Sequence, residues 1–387
     1  MDSMISRVLE NKKILFVTTG HQAMDHRIYD KEACSMNALG ATVTILGKHC
    51  GQQLETNNIK IINVPASGNR IQRFLQLPWR CWKISSRYKV DILHIQDAEL
   101  LQIIPWVRLR QPHIKTVYDV HEDFANLIKI RSYLPKILKP FVSMIVNIME
   151  KSLARYVHGI VGVTQPLTDR FLHKHRIAAY NFPSQRFYDY AKKVAIPSIE
   201  RKFDLIHLGT LSEQRALFLV DTLQKLHRQR TGTRTLISGV HEHIYNKIKH
   251  LLPSGCELEL QISYDQVPLR LGNARVGLDV HPFPTANLEV AVPVKIFEYM
   301  GCGCGVVTSL MPVLNELFIS GAINSEDIIS IDSGNPETYA NAIINMLDRI
   351  NNGDDVGRRL QGVAHQKYVW EREAEKLANF YLRLLKC

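Results

Sequence analysis

The 387-residue sequence lacks several motifs, and each absence excludes a class of protein. Gly-x-Gly-x-x-Gly does not occur, which argues against a nicotinamide-dependent dehydrogenase. No Asp-x-Asp motif is present, and Cys302 and Cys304 have no second Cys/His pair at zinc spacing, so no metal site is expected. The seven cysteines, an odd number, favour a reducing compartment over a disulfide scaffold.

Long hydrophobic runs are also missing. Residues 1–13 are mixed and polar, with no apolar core of a signal peptide. The longest apolar-rich stretch, 134–149, contains two lysines and a proline and is too short to span a bilayer. We therefore expect a cytoplasmic protein.

The wider stretch 134–155 leaves two alternatives open. It combines many apolar residues with four basic ones, Lys136, Lys139, Lys151 and Arg155. Such a segment either lies peripherally on an anionic surface, here the inner face of a membrane, or packs as a core helix.

Basic residues outnumber acidic residues, 48 against 37, which gives a formal net charge of +11. This excess favours an anionic partner: nucleic acid, anionic lipid or a phosphorylated substrate. The sequence contains no arginine-rich tail and no aromatic-basic repeat, so nucleic acid is not expected as a partner.

The first half of the chain alternates between strand and helix patterns. Residues 13–18 form a nearly continuous apolar run, which is typical of a parallel strand covered on both faces. A helix is predicted near 29–39, between turns at Gly20 and Gly40. Further strands are predicted at 42–46, 60–64, 92–95, 116–118 and 159–163. The pattern describes a Rossmann-like α/β domain.

The pattern restarts after residues 181–198, a proline-containing, charged segment that we interpret as a linker. Strands are predicted at 203–208, 235–238, 257–261 and 276–280, with a helix from a turn at Gly209 to about residue 227. A last amphipathic helix is predicted at 371–385. The two halves share a fold type rather than a repeated sequence.

Polar residues with chemical potential follow the predicted strands of the first half, at the sheet edge where open α/β folds bind ligands. Gly20 permits a tight turn after the first strand. For Asp25 and Arg27, a loop salt bridge is the alternative to ligand binding. Asp97 follows a later strand, and His121 lies within Asp-Val-His-Glu-Asp, whose three carboxylates require a partner or solvent. A structural role is the alternative for His121.

Gly209 and Arg215 form the first motif of the second half. Gly209 permits close backbone approach, and the N-terminus of the helix beyond it can donate N–H groups to phosphate oxygens. Arg215 could bind phosphate through two hydrogen bonds.

Residues 292–309 form the second motif and read as a helix, a glycine turn and a buried strand. Pro293 suits the first helical turn. Lys295 and Glu298 are three residues apart on one helix face, which suits a ligand with phosphates and hydroxyls, such as a nucleotide sugar. A surface salt bridge is the alternative. Glu289, in the preceding loop 280–289, contacts the sugar or belongs to a rigid connector.

This second motif, with its downstream Pro-x-x-x-Glu at 312–316, resembles the donor-site signature of glycosyltransferase family 4, the retaining enzymes of the GT-B architecture. The resemblance extends over most of the chain. One position departs from it: the family's first glutamate would stand eight residues before Glu298, where this chain has Val290 next to Glu289. Asp25 and Arg27 resemble the Asp-x-Arg-Ile of a polysaccharide-building subgroup.

The resemblance implies an α/β GT-B fold, two Rossmann-like domains facing a cleft. Residues 1–183, completed by a helix at 370–387, would form the acceptor domain, and residues 184–369 the nucleotide-sugar donor domain. The implied reaction moves a sugar, with retention, from a nucleotide-sugar donor, with UDP or GDP expected, to a hydroxyl of a glycan or lipid-linked acceptor. Neither a metal nor a cofactor is expected.

The resemblance also implies roles for individual residues. The catalytic positions are His121, near the transferred sugar, with Arg215 and Lys295 on the diphosphate. The donor would be bound by Gly20, Gly209, Arg215, Glu289, Lys295 and Glu298, with Glu298 on the ribose hydroxyls. The acceptor would be bound by Asp25, Arg27 and Asp97. Two alternatives stay open: a sugar-nucleotide epimerase of the same GT-B build, and a non-catalytic membrane-surface or glycan-binding protein.

Overall fold

The computed structural model describes residues 7–49, 53–64, 70–130, 134–282, 286–321 and 323–387. The chain divides into two compact units, each built on its own sheet. The N-terminal unit is Met1–Asn181 with Trp370–Cys387, and the C-terminal unit is Phe182–Val369. Both units alternate strands and helices around a mainly parallel sheet, which confirms the prediction of two Rossmann-like α/β domains.

The N-terminal unit contains an eight-stranded sheet. Its strands are β1 (Lys13–Gln22), β2 (Thr42–Lys48), β3 (Gln53–Thr56), β4 (Ile59–Asn63), β5 (Ile92–Ile95), β6 (Lys115–Val120), β7 (Gly159–Gly162) and β8 (Arg176–Ala178). They lie in the order β3-β4-β2-β1-β5-β6-β7-β8, and the β3–β4 pair is antiparallel. The direction of the strand order reverses between β1 and β5, so the carboxyl ends of these two strands form a topological switch point.

Seven of the helices in this unit are α1 (Cys34–Ala38), α2 (Arg70–Leu75), α3 (Leu77–Ser85), α4 (Ile104–Arg110), α5 (Phe124–Ile130), α6 (Lys139–Ala154) and α7 (Gln165–Asp169). The helix predicted at 29–39 begins earlier, as a π-helical segment, His26–Ala33, which continues into α1. Asp25 caps this segment, because its carboxylate accepts hydrogen bonds from the backbone N–H groups of Arg27 and Ile28. A wide helical turn of this type is rare and often marks a functional site.

The C-terminal unit contains a six-stranded parallel sheet in the order β11-β10-β9-β12-β13-β14. The strands are β9 (Phe203–Leu208), β10 (Thr235–Val240), β11 (Cys256–Leu260), β12 (Ala274–Asp279), β13 (Gly305–Ser309) and β14 (Ile328–Ile331). The helices are α8 (Gln185–Lys193), α9 (Glu213–Gln229), α10 (Glu242–Ile248), α11 (Val267–Gly272), α12 (Ala286–Val290), α13 (Val294–Gly301), α14 (Pro312–Ser320), α15 (Pro336–Asn351) and α16 (Val356–Lys367). The direction of the strand order reverses between β9 and β12, which gives this unit its own switch point.

The interpretation of residues 181–198 as a linker is wrong. Half of this segment is the helix α8, which Ser184 caps by accepting a hydrogen bond from the Phe187 N–H. Phe187 and Tyr188 are buried, and the Tyr188 ring lies so close to Gly301 that a Cβ there would be 2.2 Å from it. The flanking prolines and the charges of the exposed face obscured this amphipathic helix in the sequence.

The last helix, α17 (Trp370–Lys386), belongs to the N-terminal unit. Its buried face joins the core around Phe16 and Ile92 through Trp370, Ala374, Leu377, Tyr381 and Leu384. The Glu373 carboxylate accepts a hydrogen bond from the Tyr180 N–H at 3.0 Å. The helical period of apolar residues therefore predicted both the helix and its buried face.

Helix α6 does not pack as a core helix, so that alternative for residues 134–155 is wrong. Its fully buried residues are small or polar: Ser143, Glu150 and Ala154. Its large apolar residues are exposed, among them Phe141, Met144, Ile145, Ile148 and Met149. Within the described ranges, no helix has both the length and the apolar character needed to cross a bilayer.

Candidate functional site

The carboxyl ends of β9 and β12 meet at the switch point of the C-terminal unit. Gly209 follows β9, Asp279 ends β12, and Arg215 lies in the first turn of α9. Open α/β sheets bind ligands at such a point, because the loops after neighbouring strands diverge there and leave a crevice.

Two glycines open the backbone at this crevice. Gly209 has a φ of +98° and Gly239 a φ of +90°, values that residues with a Cβ rarely adopt. A Cβ on Gly239 would lie 3.0 Å from the Gly209 Cα, whereas a Cβ on Gly209 would meet nothing within 4 Å. Gly239 therefore allows the two loops to approach, and Gly209 faces open space that a ligand can enter.

Arg215 and Lys295 converge on one carboxylate oxygen. Arg215 Nη2 lies 2.6 Å from Asp279 Oδ1, and Lys295 Nζ lies 3.0 Å from the same oxygen. Arg215 Nε also donates to the Val280 carbonyl at 3.2 Å. The two cations are thereby held side by side, while Asp279 Oδ2 has no hydrogen-bond partner among the described residues.

The charges of this cluster control each other. Burial would raise the pKa of Asp279, but Lys295, the nearby His281 ring and Arg215 hold it well below its usual value. Burial lowers the pKa of Lys295, although Asp279 opposes this effect. Burial also lowers the pKa of His281, which lies 3.4 Å from Asp279 Oδ1, and the two nearby cations lower it further. One buried anion thus balances part of a site that is otherwise positive.

The motif in α13 does not form a surface salt bridge, so that alternative is wrong. Lys295 pairs with Asp279, and Glu298 is only 5% exposed and interacts with the Tyr264 hydroxyl. Pro293 precedes the helix as its N-cap residue instead of lying in its first turn. The helix therefore contributes a cation and a carboxylate to the interior of the C-terminal unit.

Glu289 lies apart from this buried group on α12, where its side chain is exposed. Residues 283–285 of the loop that precedes it lie outside the described part of the chain. A cavity of about 230 Å³ borders the cluster, with His281, Ser309 and Tyr339 in its wall. The site thus adjoins a space large enough for part of a small ligand.

Asp97 organises the switch point of the N-terminal unit. Its Oδ2 accepts hydrogen bonds from the Thr19 N–H at 2.7 Å, the Gly20 N–H at 3.1 Å and the Thr18 hydroxyl at 2.8 Å. Burial acts to raise its pKa, but the charge of His21 and these hydrogen bonds lower it. A Cβ on Gly20 would lie 2.2 Å from Asp97 Oδ1, so the glycine provides the space that the carboxylate occupies.

Arg27 lies in a buried ion network, not in an exposed loop. Its Nη2 is 3.1 Å from Asp119 Oδ2, its Nε is 3.0 Å from Glu32 Oε1, and its Nη1 donates to the Ala179 carbonyl. His121 Nε2 lies 3.2 Å from Asp119 Oδ2, and the His121 side chain is 11% exposed. The partner that the carboxylates of residues 119–123 require is therefore Arg27 for Asp119, and Arg170 for Asp123 at 3.2 Å.

The pKa values of the two acids in this network are shifted in opposite directions. Burial and the neighbouring Asp119 raise the pKa of Glu32 well above its usual value. Burial acts on Asp119 in the same direction, but Arg27 and His121 hold the pKa of Asp119 well below its usual value. Glu32, His94 and Asp119 have ligand atoms within 4.8 Å of one another, but the Arg27 guanidinium already pairs with both carboxylates, which disfavours a metal ion there.

Several of these residues belong to no motif that is visible in the sequence. Asp279 is a single acid at a strand end, Gly239 is a single glycine, and Glu32 and Tyr264 lie in segments without a sequence motif. Only the position of Asp279 at the carboxyl end of a predicted strand could have indicated it. The structure brings Gly209, Arg215, Lys295 and Glu298 into one unit, and Gly20, Arg27, Asp97 and His121 into the other, with Asp25 as a helix cap.

The geometry defines a class of protein: two Rossmann-like domains, one of which holds paired cations beside an open glycine loop. The sequence matches the family model of Glycosyltransferase Family 4 over residues 32–182. It matches that of Glycosyl transferases group 1 over residues 202–349. The first match ends at Phe182, the first residue of the C-terminal unit, and the second lies within the C-terminal unit. The protein is a glycosyltransferase with the GT-B architecture. A search of the curated proteins found no match.

Solved structures of glycosyltransferases share the fold at low sequence identity. Sucrose-phosphate synthase from Thermosynechococcus elongatus has a TM-score of 0.72 at 14% identity, covering 97% of this chain and 100% of that one. Anabaena HepE in complex with UDP and glucose has a TM-score of 0.67 at 12% identity, covering 95% and 99%. A UDP-forming α,α-trehalose-phosphate synthase from Burkholderia xenovorans, in complex with glucose-6-phosphate, has a TM-score of 0.67 at 10% identity, covering 97% and 100%.

Proposed function

We propose that this glycosyltransferase uses a nucleotide-sugar donor that binds to the C-terminal unit. The observation that carries the proposal is the convergence of Arg215 and Lys295 on one carboxylate oxygen beside the open Gly209 loop. A diphosphate is the ligand that two adjacent cations and a helix N-terminus favour most. UDP is the first base to test, because the similarly folded Anabaena protein was solved with UDP and glucose.

The cations would stabilise the leaving group. When the bond to the sugar breaks, negative charge develops on the diphosphate, and Arg215 and Lys295 would stabilise that charge without a metal ion. Glu298 would accept hydrogen bonds from the ribose hydroxyls, and Glu289 and Gly20 remain candidates for weaker donor contacts. Retention at the anomeric carbon is part of the proposal and rests on the resemblance to family 4.

His121 would contact the transferred sugar. Its ring is held by Asp119, which Arg27 holds in turn, so Arg27 acts by positioning and does not touch the acceptor. Asp97 likewise acts through the loop at Gly20, whose N–H group it binds. Asp25 is partly exposed and is the one acceptor-binding candidate whose carboxylate can meet a hydroxyl directly. The acceptor would be a glycan or a lipid-linked sugar.

A binding panel tests this proposal. UDP, GDP and ADP should be compared with their free nucleosides by thermal shift, since a ligand of the native state raises apparent stability. We expect one nucleoside diphosphate to stabilise the protein much more than its nucleoside does. Turnover of the corresponding nucleotide sugar should need an acceptor and should persist in EDTA. Turnover without any acceptor would favour an epimerase, loss in EDTA would refute metal independence, and no binding at all would favour a non-catalytic protein.

We further propose that the N-terminal unit meets its acceptor at an anionic membrane surface. Helix α6 exposes a stripe of Phe141, Met144, Ile145 and Ile148, and the basic residues Lys136, Lys139 and Arg155 lie along it or at its ends. The only acid in the helix, Glu150, is buried. An apolar face flanked by cations suits anionic lipid, to which each basic residue adds about 1 kcal/mol.

Vesicle co-sedimentation tests the membrane proposal. Binding to vesicles with anionic lipid should exceed binding to neutral vesicles and should weaken as salt rises. Replacing Phe141 and Ile148 with serine should reduce binding at every salt concentration without unfolding the protein, because both side chains are exposed. Equal partition onto both kinds of vesicle, or onto neither, would remove the membrane from the proposal and leave the donor site unaffected.

A further inference from the structure

A separate polar pocket of about 470 Å³ lies in the N-terminal unit, between α5 and α6. Three cations line it: Lys129, Lys151 and Arg170. The residues assigned above to the donor and to the transferred sugar do not line it. Asp123, which lines the pocket, follows His121 by two residues, so the chain connects the pocket directly to the residue proposed to contact the sugar.

Arg170 fixes one wall of the pocket. Its Nη2 lies 3.2 Å from Asp123 Oδ1 and 3.1 Å from Glu150 Oε2, and it donates to Asn147 Oδ1 at 3.3 Å. Its Nη1 is buried and has no hydrogen-bond partner among the described residues. A guanidinium with an unused buried donor retains capacity for one more acceptor, since such a group is costly to leave unsatisfied.

Neither lysine pairs with an acid in the part of the chain that the structure describes. Lys129 Nζ donates to Asn126 Oδ1 at 2.8 Å, and Lys151 has no hydrogen bond or ion pair with any residue of the described ranges. Asp123 is already used, because it pairs with Arg170 and accepts hydrogen bonds from the backbone and side-chain N–H groups of Asn126.

Glu150 does not line the pocket. It is buried, it accepts a hydrogen bond from the Tyr118 hydroxyl at 2.7 Å, and burial raises the pKa of its carboxyl group. The positive charges of Lys129 and Lys151 therefore exceed the negative charge available, and the surrounding side chains of Asn126 and Asn147 can supply further hydrogen bonds. These cations and hydrogen-bond donors suit an anion with several oxygen acceptors.

We propose that this pocket binds a phosphoryl group carried by the acceptor. The inference rests on the proposed function, because it places the phosphoryl group beside the sugar that His121 would contact. Lys129 and Lys151 neutralise the phosphate, as lysines commonly do, and Arg170 orients it. The acceptor is therefore a phosphorylated compound: a soluble sugar phosphate, or the phosphorylated headgroup of a lipid.

The rim of the pocket is compatible with both sources. Met144 lines the pocket and is 52% exposed as part of the apolar face of α6. A lipid could place its headgroup in the pocket and its hydrocarbon along this face, whereas a soluble sugar phosphate would use the pocket alone. Both sources make the same contacts with Lys129 and Lys151, so experiments must distinguish them.

Direct binding measurements test the pocket without relying on catalysis. Glucose-6-phosphate should be titrated against the full chain by calorimetry, and vesicles with and without phosphatidic acid should be compared by co-sedimentation. Lys151→Gln and Lys129→Gln should each weaken phosphate binding roughly tenfold or more, the effect of losing one charge-assisted hydrogen bond. Lys83→Gln, at an exposed position on α3, is the matched control and should bind as the wild type does.

The pattern of results identifies the source. Loss of glucose-6-phosphate binding in Lys151→Gln supports a soluble acceptor. Loss of phosphatidic acid binding in the same variant, but not in Lys83→Gln, supports a lipid headgroup. Binding that is equal in wild type and Lys151→Gln, or absent from both probes, overturns the proposal. UDP affinity should be the same in all variants, so failure of wild-type UDP binding would refute the donor proposal and not this one.

Discussion

Both units are doubly wound around a mainly parallel sheet, but they differ in the charges that they bury near the carboxyl ends of their strands. In the N-terminal unit, one cation, Arg27, lies between two buried acids, Glu32 and Asp119. In the C-terminal unit, two cations, Arg215 and Lys295, share one buried acid, Asp279. The charged side chains of the first group pair with one another, whereas the second group retains positive charge beside the open glycine loop.

This difference shows how one fold separates support from binding. The Arg27 group satisfies its own charges, so it can fix the position of His121 without a ligand. The group at Asp279 is satisfied only in part, and an incoming anion can complete it. Under the proposed function, Asp279 would act as a counter-charge that keeps the two cations together until a diphosphate binds.

The largest effect should follow from removing the cation of the Arg27 group. Replacing Arg27 with methionine leaves Asp119 and Glu32 buried without a cation, and breaking a buried ion pair in this way costs about 3–5 kcal/mol. Chemical denaturation should show this loss, with Arg87→Met, an exposed position, as the control that changes stability by less than about 0.5 kcal/mol. A stable Arg27→Met protein would mean that the network does not support the unit.

The next effect concerns the two cations that pair with Asp279. Arg215→Ala and Lys295→Ala should each lower kcat/KM by roughly one to three orders of magnitude, the range for losing one stabiliser of a developing charge. Each variant leaves Asp279 with one cation, so both should remain folded. Lys225→Ala, on α9 but away from the site, is the control. Wild-type kinetics in both variants would contradict the diphosphate assignment.

The sequence predicted most of the fold because the signals were local. Apolar runs marked the parallel strands, and the helical period in residues 371–385 identified the buried face of α17. The failures had local causes as well. The prolines around α8 resemble a linker, and the apolar residues of α6 resemble a core helix because composition does not reveal which face is buried.

The candidate site was predictable where a motif carried it and not where tertiary contacts did. Gly209, Arg215, Lys295 and Glu298 lie in recognisable segments. The pairing of Lys295 with Asp279, by contrast, joins α13 to the end of β12 and leaves no trace in residue spacing. Arg27 could not be read as buried for the same reason, since two of its three partners, Asp119 and Ala179, are distant in sequence.

A smaller effect is expected at the ribose contact in the C-terminal unit. Glu298→Gln keeps the size of the side chain and removes its charge, so donor affinity should fall by about tenfold, the lower end for a hydrogen bond to a charged group. Calorimetric titration with the nucleoside diphosphate measures this change, and thermal unfolding without ligand checks that the fold is intact. Unchanged donor affinity would mean that Glu298 serves only its buried contact with Tyr264.

The smallest expected effect tests the pH response of the N-terminal unit at His158, away from Arg27 and its acids. His158 Nδ1 accepts a hydrogen bond from the Thr116 N–H at 3.0 Å, which requires a neutral ring. Burial, with the charges of Arg108 and Lys115, lowers the pKa of His158 to about 4.

The sign of the effect follows from this lowered pKa. The unfolded chain binds a proton at His158 near its usual pKa of about 6.5, whereas the folded chain does not until about pH 4, so stability falls as the pH drops through this window. The half-buried ring is screened by solvent, which limits the loss to about 1 kcal/mol, or roughly 2–4 °C in Tm. His158→Gln offers a neutral acceptor that does not titrate, so its Tm should fall less than that of the wild type between pH 7 and pH 4.5. Tm curves that run parallel for the two proteins would contradict this assignment. If the Gln variant were less stable by the same amount at every pH, His158 would have a packing role alone.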